Sequence, residues 1–420
     1  MHPTTRRWIC RSAFVVFCLL PTSLVLARIV ARKLPSYTRR MEVLLSNELD
    51  MGVSVDNLWH PRPGVSVAEG VVITDPESGT VFAQIGQIRM TYLKGKCQLL
   101  LDETELNGER LTQIYHRMHR RLQRRPDLDQ ISVKLNGSEI KLQTDQKEYR
   151  LTNLDLQYEP GPKETTVLLD FRVADFKMAE ETRIRWERKH DAKPPFTRIQ
   201  CYTQGSALPC RLLTGFFPEI RRLGEDCTIN GFVSADFHQE EGWQAEGEFV
   251  LDQVDMDQLV TDLFTQQLSG KASIGVHRLV VCDDRLLVCS GEFHMQQGTV
   301  SRSLLENAVQ HISIQPRQTL KFLEGESVPF QSLDFGFRVD GNGFQLSGRS
   351  AEPAVGAILF IRPGVVFYEP MANQPLPLVN LIRMLVPYQQ FWVPATRETE
   401  LLWFRLPRMS STRSGNWTSR

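Results

Sequence analysis

The sequence has no C-x-x-C pair, no H-E-x-x-H, no G-x-S-x-G, no glycine-rich phosphate loop closed by a lysine and no calcium-loop spacing. The local signatures of zinc and thioredoxin chemistry, serine hydrolases, P-loop nucleotide hydrolases and EF-hands are therefore missing. Net charge is missing too, since 49 Lys+Arg balance 49 Asp+Glu. A nucleic-acid binder depends on a basic surplus facing the phosphates, so no nucleic-acid partner is expected. Hydrophobic residues are not scarce: at 41%, with 9% aromatics, they exclude intrinsic disorder and collagen. At ~100–200 residues per domain, 420 residues allow two or three domains with cores that need no disulfide staples.

The near misses have plainer readings. Gly341-Asn342-Gly343 has the spacing of a hairpin turn and not of a dinucleotide loop. Asp252, Asp255 and Asp257 lack the glycine and terminal glutamate of a calcium loop, and read as the end of a strand and the start of a helix. His116 and His119 stand at i and i+3 among arginines that disfavour a metal. No metal and no cofactor is expected.

The neutral total hides an asymmetry. Residues 1–40 hold eight basic groups (Arg6, Arg7, Arg11, Arg28, Arg32, Lys33, Arg39 and Arg40) and no acid, leaving the rest of the chain acidic. Ser12 to Ala27 is uncharged, and the apolar stretch resumes after Arg28 up to Arg32 and Lys33. Sixteen residues lie between a signal-peptide core and the ~18 or more of a spanning helix, and a snorkelling Arg28 lengthens the stretch. A cleaved signal, with Val25 and Ala27 before the cut, and a buried core helix are the alternatives to an uncleaved anchor. Residues 1–33 are read as a membrane anchor, with Arg28, Arg32, Lys33, Arg39 and Arg40 at the membrane surface. The flanking charges oppose export, whereas a long following domain can translocate despite them; export is favoured.

Leu34, Tyr37, Met41, Leu44, Leu45 and Leu49 form one stripe of an amphipathic helix over 34–50, which either lies on the bilayer or packs onto the next domain. Beyond it the apolar period becomes 2. Ile131, Val133 and Leu135 lead through Asn136-Gly137-Ser138 to Ile140 and Leu142, a spacing that predicts a hairpin. Leu154–Tyr158 turns at Pro160-Gly161-Pro162 into Val167–Val173. Ile229–Phe237 turns at Glu241-Gly242 into Ala245–Leu251, and Leu333–Val339 turns at 340–343 into Phe344 and Leu346. Helices are few: 108–125, Met256–Gln267, Ser303–Ile314 and Leu376–Leu385. The fold expected is mainly β, an N-terminal transmembrane helix followed by curved antiparallel sheets, as a groove or as sandwiches, with a few short amphipathic helices. Too few helices to cover the greasy sheet faces leave either closed sandwiches or an apolar trough.

Helix 108–125 is basic, with Arg110, Arg117, Arg120, Arg121, Arg124 and Arg125 opposite Leu111, Ile114, Tyr115, Met118 and Leu122. Solvated arginines facing the acidic surface of the same protein outweigh a headgroup-binding surface. The cysteines are expected to be mostly buried thiols, with one disulfide, Cys201 with Cys210; Cys282 and Cys289 fall out of register about a turn at Asp283-Asp284. Asn136-Gly137-Ser138 and Asn416-Trp417-Thr418 match glycosylation acceptors.

The anchor, the amphipathic helix and the run from Asn57-Leu58-Trp59-His60 to Thr74-Asp75-Pro76 together resemble the start of AsmA-like envelope proteins. Ser269–Val276, Ser290–Ser301 with the helix after it, and Phe337–Gly348 resemble the C-terminal strands of that family. The resemblance implies an inner-membrane anchor and a periplasmic β-rich body, related to TamB-type and bridge-like lipid-transfer proteins, whose groove carries acyl chains. It transfers no catalytic residue, and about 380 exported residues are too few to bridge an envelope. The domains expected are 1–33 anchor, 34–50 amphipathic helix, 51–225 a β-rich domain, 226–362 an AsmA-like C-terminal β-region, and 363–420 an apolar segment with a polar tail. Phe335, Phe337, Val339, Phe344 and Leu346 are the candidate groove lining. The function expected is non-enzymatic: handling or shielding acyl chains of phospholipids in outer-membrane biogenesis. The alternative is an adaptor that contacts other envelope proteins through closed sandwiches, without lipid cargo.

Overall fold

A computed structural model describes Trp8 and residues 12–32, 34–93, 95–124, 131–144, 147–174, 176, 180–203, 205–238, 242–283, 285–317, 325–350, 355–362, 365–370 and 374–386. It is mainly β and divides into two compact units, Met1–Gly161 and Pro162–Arg420. The boundary expected at 225/226 is not where the chain divides. Strands on either side of it are hydrogen-bonded to each other, Phe196–Tyr202 with Thr228–His238, so a cut there would sever a ladder.

In the first unit, helix α1 (Leu20–Arg32) continues a π-helical turn at Val15–Leu19. Among the described residues no helix is long and apolar enough to cross a membrane. Helix α2 (Pro35–Leu49) starts on Pro35 and ends on Asp50 in the left-handed region. It leads to β1 (Gly52–Arg62), β2 (Val65–Thr74), β3 (Val81–Leu93), β4 (Lys96–Asn107), helix α3 (Leu111–Arg124), β5 (Ser132–Gln143) and β6 (Glu148–Glu159). Neighbours pair antiparallel except β4 and β5, which are parallel and joined across α3. Helix α2 caps the edge strand through its polar side chains, while Tyr37, Met41, Leu45 and Leu49 of the apolar stripe are half-buried and Leu34 and Leu44 exposed. Ser46 Oγ and Glu42 Oε1 accept hydrogen bonds from Val53 N and Val55 N, at 2.9 and 2.8 Å, satisfying donors that an open edge strand exposes.

The hairpin expected at Asn136-Gly137-Ser138 does not exist; those residues lie inside the unbroken strand β5. What changes there is parity. Apolar side chains stand at Val133 and Leu135 and then at Ile140 and Leu142. They stand at Ala83 and Ile85 then Ile88 and Met90, at Leu99 and Leu101 then Leu106, and at Tyr149 and Leu151 then Leu154 and Leu156. The cross-strand ladder skips one position at this point in the pairs β2–β3, β3–β4 and β5–β6, and two in β4–β5. Gly70, Glu103 and Asn153 stand there with φ of 60°, 50° and 55°. A left-handed residue inside a strand turns the next peptide over, so one face stays apolar while the sequence changes phase.

The second unit holds β7 (Glu164–Val173), β8 (Thr182–Lys189), β9 (Phe196–Tyr202), β10 (Leu208–Pro209), β11 (Thr228–His238), β12 (Gly242–Asp255), β13 (Leu268–Ser269), β14 (Lys271–Cys282) and β15 (Arg285–Ser301). Helix α4 (Arg302–Ile312), β16 (Gln315–Pro316), β17 (Ser327–Asp340), β18 (Gly343–Gly348), β19 (Ala357–Arg362), β20 (Val365–Tyr368) and helix α5 (Leu378–Leu385) follow. The expected hairpins β11–β12 and β17–β18 form, with His238 opposite Gly242 and Asp340 opposite Gly343. The helix expected over Met256–Gln267 is only a π-helical turn, Asp257–Thr261. Asp255 Oδ1 accepts from Asp257 N at its start, 3.1 Å. Ser301 caps α4, accepting from Leu304 N at 3.3 Å. The core of this unit joins Leu304, Leu305, Ala308 and Ile312 of α4 to Met295, Phe330, Val339, Phe344 and Phe367, with Leu378, Leu381 and Leu385 of α5 packed against it.

The disulfide expected between Cys201 and Cys210 does not form; both are free thiols, as is Cys227. Cys201 stands in β9 opposite Ile184 and Val233, whereas Cys210 Sγ lies 2.8 Å from Cys227 Sγ in the core. Cys210 and Cys227 prolong the β10–β11 ladder, with Cys210 N donating to Cys227 O at 2.9 Å. Nothing in the residues between 201 and 227 signals that pairing. Asp283 does lie at the turn after β14, and Cys289 stands opposite Leu279.

Candidate functional site: apolar lanes across the sheets

Residues directly opposite each other in adjacent strands share a face. In the first unit this places Leu58, Ala68, Ile88, Leu101, Gly137 and Leu154 in one row across β1–β6. Beside it run Met90, Leu99, Leu135 and Leu156, and then Tyr92, Cys97, Val133 and Tyr158. The two outer rows are half-buried, with Tyr92 exposed. Beyond the parity switch the same face is sealed: Val53, Val71, Ala83, Ile85, Ile140, Leu142, Tyr149 and Leu151 are buried. Tyr115 of α3 is half-buried, and that partial burial pushes its phenol up to about 12.

Helix α3 is seated by charge. Arg117 is buried and forms an ion pair with Asp75, with Glu77 at 3.4 Å and Asp50 at 3.8 Å. The Asp75 carboxyl is held below its ordinary value, first by the Ser78 hydroxyl and also by Arg117. His116 and Arg120 are exposed, and Tyr115 stacks on His119 with centroids 5.7 Å apart. Arg125 and the side chains of Arg121 and Arg124 lie outside the described residues. Arg117 does face acids of its own protein, but from a buried position and not as the solvated arginine expected.

In the second unit one lane crosses nine strands. Leu169, Ile184, Cys201, Val233, Gly247, Leu279, Cys289, Val339 and Phe344 pair in succession through β7, β8, β9, β11, β12, β14, β15, β17 and β18. The side chains from Leu169 to Cys289 are half-buried, while Val339 and Phe344 are 8% and 4% exposed. A parallel lane holds Val167, Trp186, Ile199, Ala235, Ala245 and Val281. The opposite face of β7, β8, β9 and β11 is laced with ion pairs: Arg183–Asp170 at 2.8 Å, Lys189–Glu164 at 2.6 Å, Arg198–Asp236 at 2.7 Å, and Arg185–Glu187. Donating hydrogen bonds to these carboxylates raises the pKa of Arg183, Lys189 and Arg198.

The candidate groove residues fall at the closed end of the nine-strand lane. Val339 and Phe344 are core, and Phe335 and Leu346 pack against it. Phe337, Phe344 and Leu346 line a cleft of about 570 Å³ together with His277, Arg338 and Arg349. Its cations are matched: Arg338 with Asp340 at 2.9 Å and Arg349 with Glu292. Of the candidate membrane-surface residues, Arg39 and Arg40 are exposed on α2. Arg28 and Arg32 belong to α1, their side chains undescribed, and Lys33 lies outside the described residues. So do 387–420, which contain Asn416-Trp417-Thr418.

The sequence reading missed Ile184, Cys201, Leu279 and Cys289 as lane members. Their signal was present only as alternation; which strand lies beside which is a long-range fact. Among the described residues no cluster of metal-ligating side chains occurs. No family model, no curated protein and no solved structure matches the chain.

Proposed function

We propose that this is a membrane-anchored, non-catalytic protein that shelters lipid acyl chains on its apolar sheet face, in cell-envelope and outer-membrane upkeep. The observation that carries the reading is the nine-strand lane, half-buried from Leu169 to Cys289 with no α-helix between α3 and α4 among the described residues to cover it. A ribbon of this kind accepts an extended chain because each methylene taken out of water contributes ~0.8 kcal/mol, while the ion-paired opposite face stays in water. The half-buried rows of the first unit offer a second stretch of the same chemistry.

The anchor reading draws support from the first helical segment, where Phe14, Phe17, Leu20, Leu24 and Leu26 are all exposed, Phe17 at 78%. An apolar surface of that kind calls for a bilayer or a partner. With the bulk of the chain on the periplasmic side of the inner membrane, Arg39 and Arg40 remain at the headgroups. The resemblance to AsmA-like proteins points the same way, and the chain's length favours a local role over a bridge.

The buried end of the lane supports a second reading, an adaptor with closed cores that contacts envelope proteins and carries no lipid. Native mass spectrometry of the full chain extracted in mild detergent separates the two. The expected result is co-purified phospholipid that is lost in an Ile184→Glu, Val233→Glu double variant with unchanged circular dichroism. Lipid-free protein, together with no transfer of labelled lipid between vesicles, refutes the acyl-chain reading.

A further inference from the structure

Six charged residues are buried among the described residues: Asp75, Arg117, Asp170, Glu187, Arg188 and Arg211. Five have an opposite charge at hand, Arg117 with Asp75, Asp170 with Arg183, Glu187 with Arg185, and Arg211 with Glu225. Arg188 has none among the described residues. It is 7% exposed, its Nη1 donates to Thr197 Oγ1 at 3.0 Å, and its buried Nε has no hydrogen-bond partner. Burial lowers its pKa, and no acid opposes that shift.

Its position explains why this is unusual. Arg183, Arg185, Lys189 and Arg198, the paired cations of β8 and β9, stand on the ion-paired face. Arg188 stands on the opposite one, two residues along β8 from Trp186 and four from Ile184, with Thr165 and Thr197 directly across on either side. It therefore occupies the apolar face, one row beyond the lane of Val167, Trp186 and Ile199. That row lies beside the loop end of the hairpin, where His190 Nε2 meets Thr165 Oγ1 at 2.9 Å. A buried guanidinium without a counter-charge is costly, and its planar fork is the group best matched to a phosphate.

We infer that Arg188 is an anion site at the end of the apolar lanes, which takes a phosphate group, with Thr197 orienting the guanidinium. Resting on the acyl-chain reading above, it makes the cargo an anionic, phosphate-bearing lipid whose tails run along the lanes from Trp186 and Ile199 inward. A free phosphate anion has the same chemistry, so the test separates the two sources.

The full chain in mild detergent is titrated with phosphatidic acid, with diacylglycerol of the same chains, and with inorganic phosphate, each followed by thermal shift and by native mass spectrometry. Phosphatidic acid is expected to bind at least tenfold more tightly than diacylglycerol. Arg188→Met removes that preference and leaves diacylglycerol binding unchanged, whereas Arg188→Lys keeps part of it. Stabilisation by inorganic phosphate that disappears in Arg188→Met, without any lipid binding, supports the anion site and refutes the lipid reading. Equal binding of the two lipids by the wild type, with no response to inorganic phosphate, overturns the site whatever the variants do. So does an Arg188→Met protein that keeps the wild-type preference. Since the wild-type comparisons need no variant, a failure of Arg188→Met to fold leaves the test intact.

Discussion

The two ends of the nine-strand lane are built from the same alternation and have opposite fates. At Leu169, Ile184, Cys201 and Val233 the side chains stay half-buried. At Val339 and Phe344 they are sealed in a core that α4 and α5 complete. The difference lies in the elements that each strand runs into. No α-helix lies among the described residues between β7 and β12, whereas β15 runs directly into α4 through the Ser301 cap, and Phe344 forms a two-bond bridge with Leu376, just ahead of α5. Apolar alternation fixes that a face is greasy; the covering elements decide whether it is core or surface. The first unit repeats the contrast within single strands, sealed on one side of the parity switch and half-open on the other.

Truncation gives the largest contrast. Phe344→Ala leaves a cavity in the sealed core and is expected to cost about 3–5 kcal/mol, whereas Leu169→Ala, at the half-open end, costs about 1–2 kcal/mol. Equal losses in urea denaturation would erase the distinction between the two ends.

A covalent test of the sealed end comes next. Refolded with a disulfide donor, Cys210 and Cys227 are expected to join with loss of two hydrogens, stabilising the fold by ~3 kcal/mol. Cys201 remains a thiol. The folded thiols react slowly, because Cys210 is held protonated by its hydrogen bond with Cys227 and by burial, so the bond forms while the chain is still open. Peptide mapping without reductant that found Cys210 still alkylatable, or joined to Cys201, would contradict this geometry.

The smallest effect concerns the sealed half of the first unit. The Asp75 carboxyl is lowered from 3.8 in the folded protein. Its contribution is therefore fully present above the unfolded value and is lost as pH falls through the lowered folded value. Thermal midpoints measured downward from about pH 5 should fall more steeply in the wild type than in Asp75→Asn. Parallel pH profiles would detach Asp75 from the seating of α3.

Much of the local structure was legible. Alternation bounded by turn residues located β11–β12 and β17–β18, apolar stripes located α2 and α3, and the helix expected at Ser303–Ile314 covers most of α4. The false hairpin in β5 shows where such reading stops. Asn136-Gly137 between two alternating runs satisfies the local rule for a turn, but the neighbouring strands skip a position at the same level and hold the chain straight. The parallel pairing of β4 and β5 was hidden because α3 separates them. Arg188 was legible in part: in R-I-R-W-E-R-K it shares the phase of Ile184 and Trp186, unlike Arg183 and Arg185, but only the pairing partners show it buried without a counter-charge. The lanes themselves were legible only in pieces.

By itself the sequence determined what is local: a β-rich chain, an apolar N-terminal segment, the positions of most turns and helices, and the absence of familiar catalytic motifs. Those features arise from periodicity and turn chemistry within a few residues. Only the tertiary structure decided which alternating runs join into lanes, where a lane is sealed, which cysteines meet and which arginine is left without a counter-charge. Each of these depends on register between strands far apart in the chain, and a shift of one residue would send every side chain to the other face.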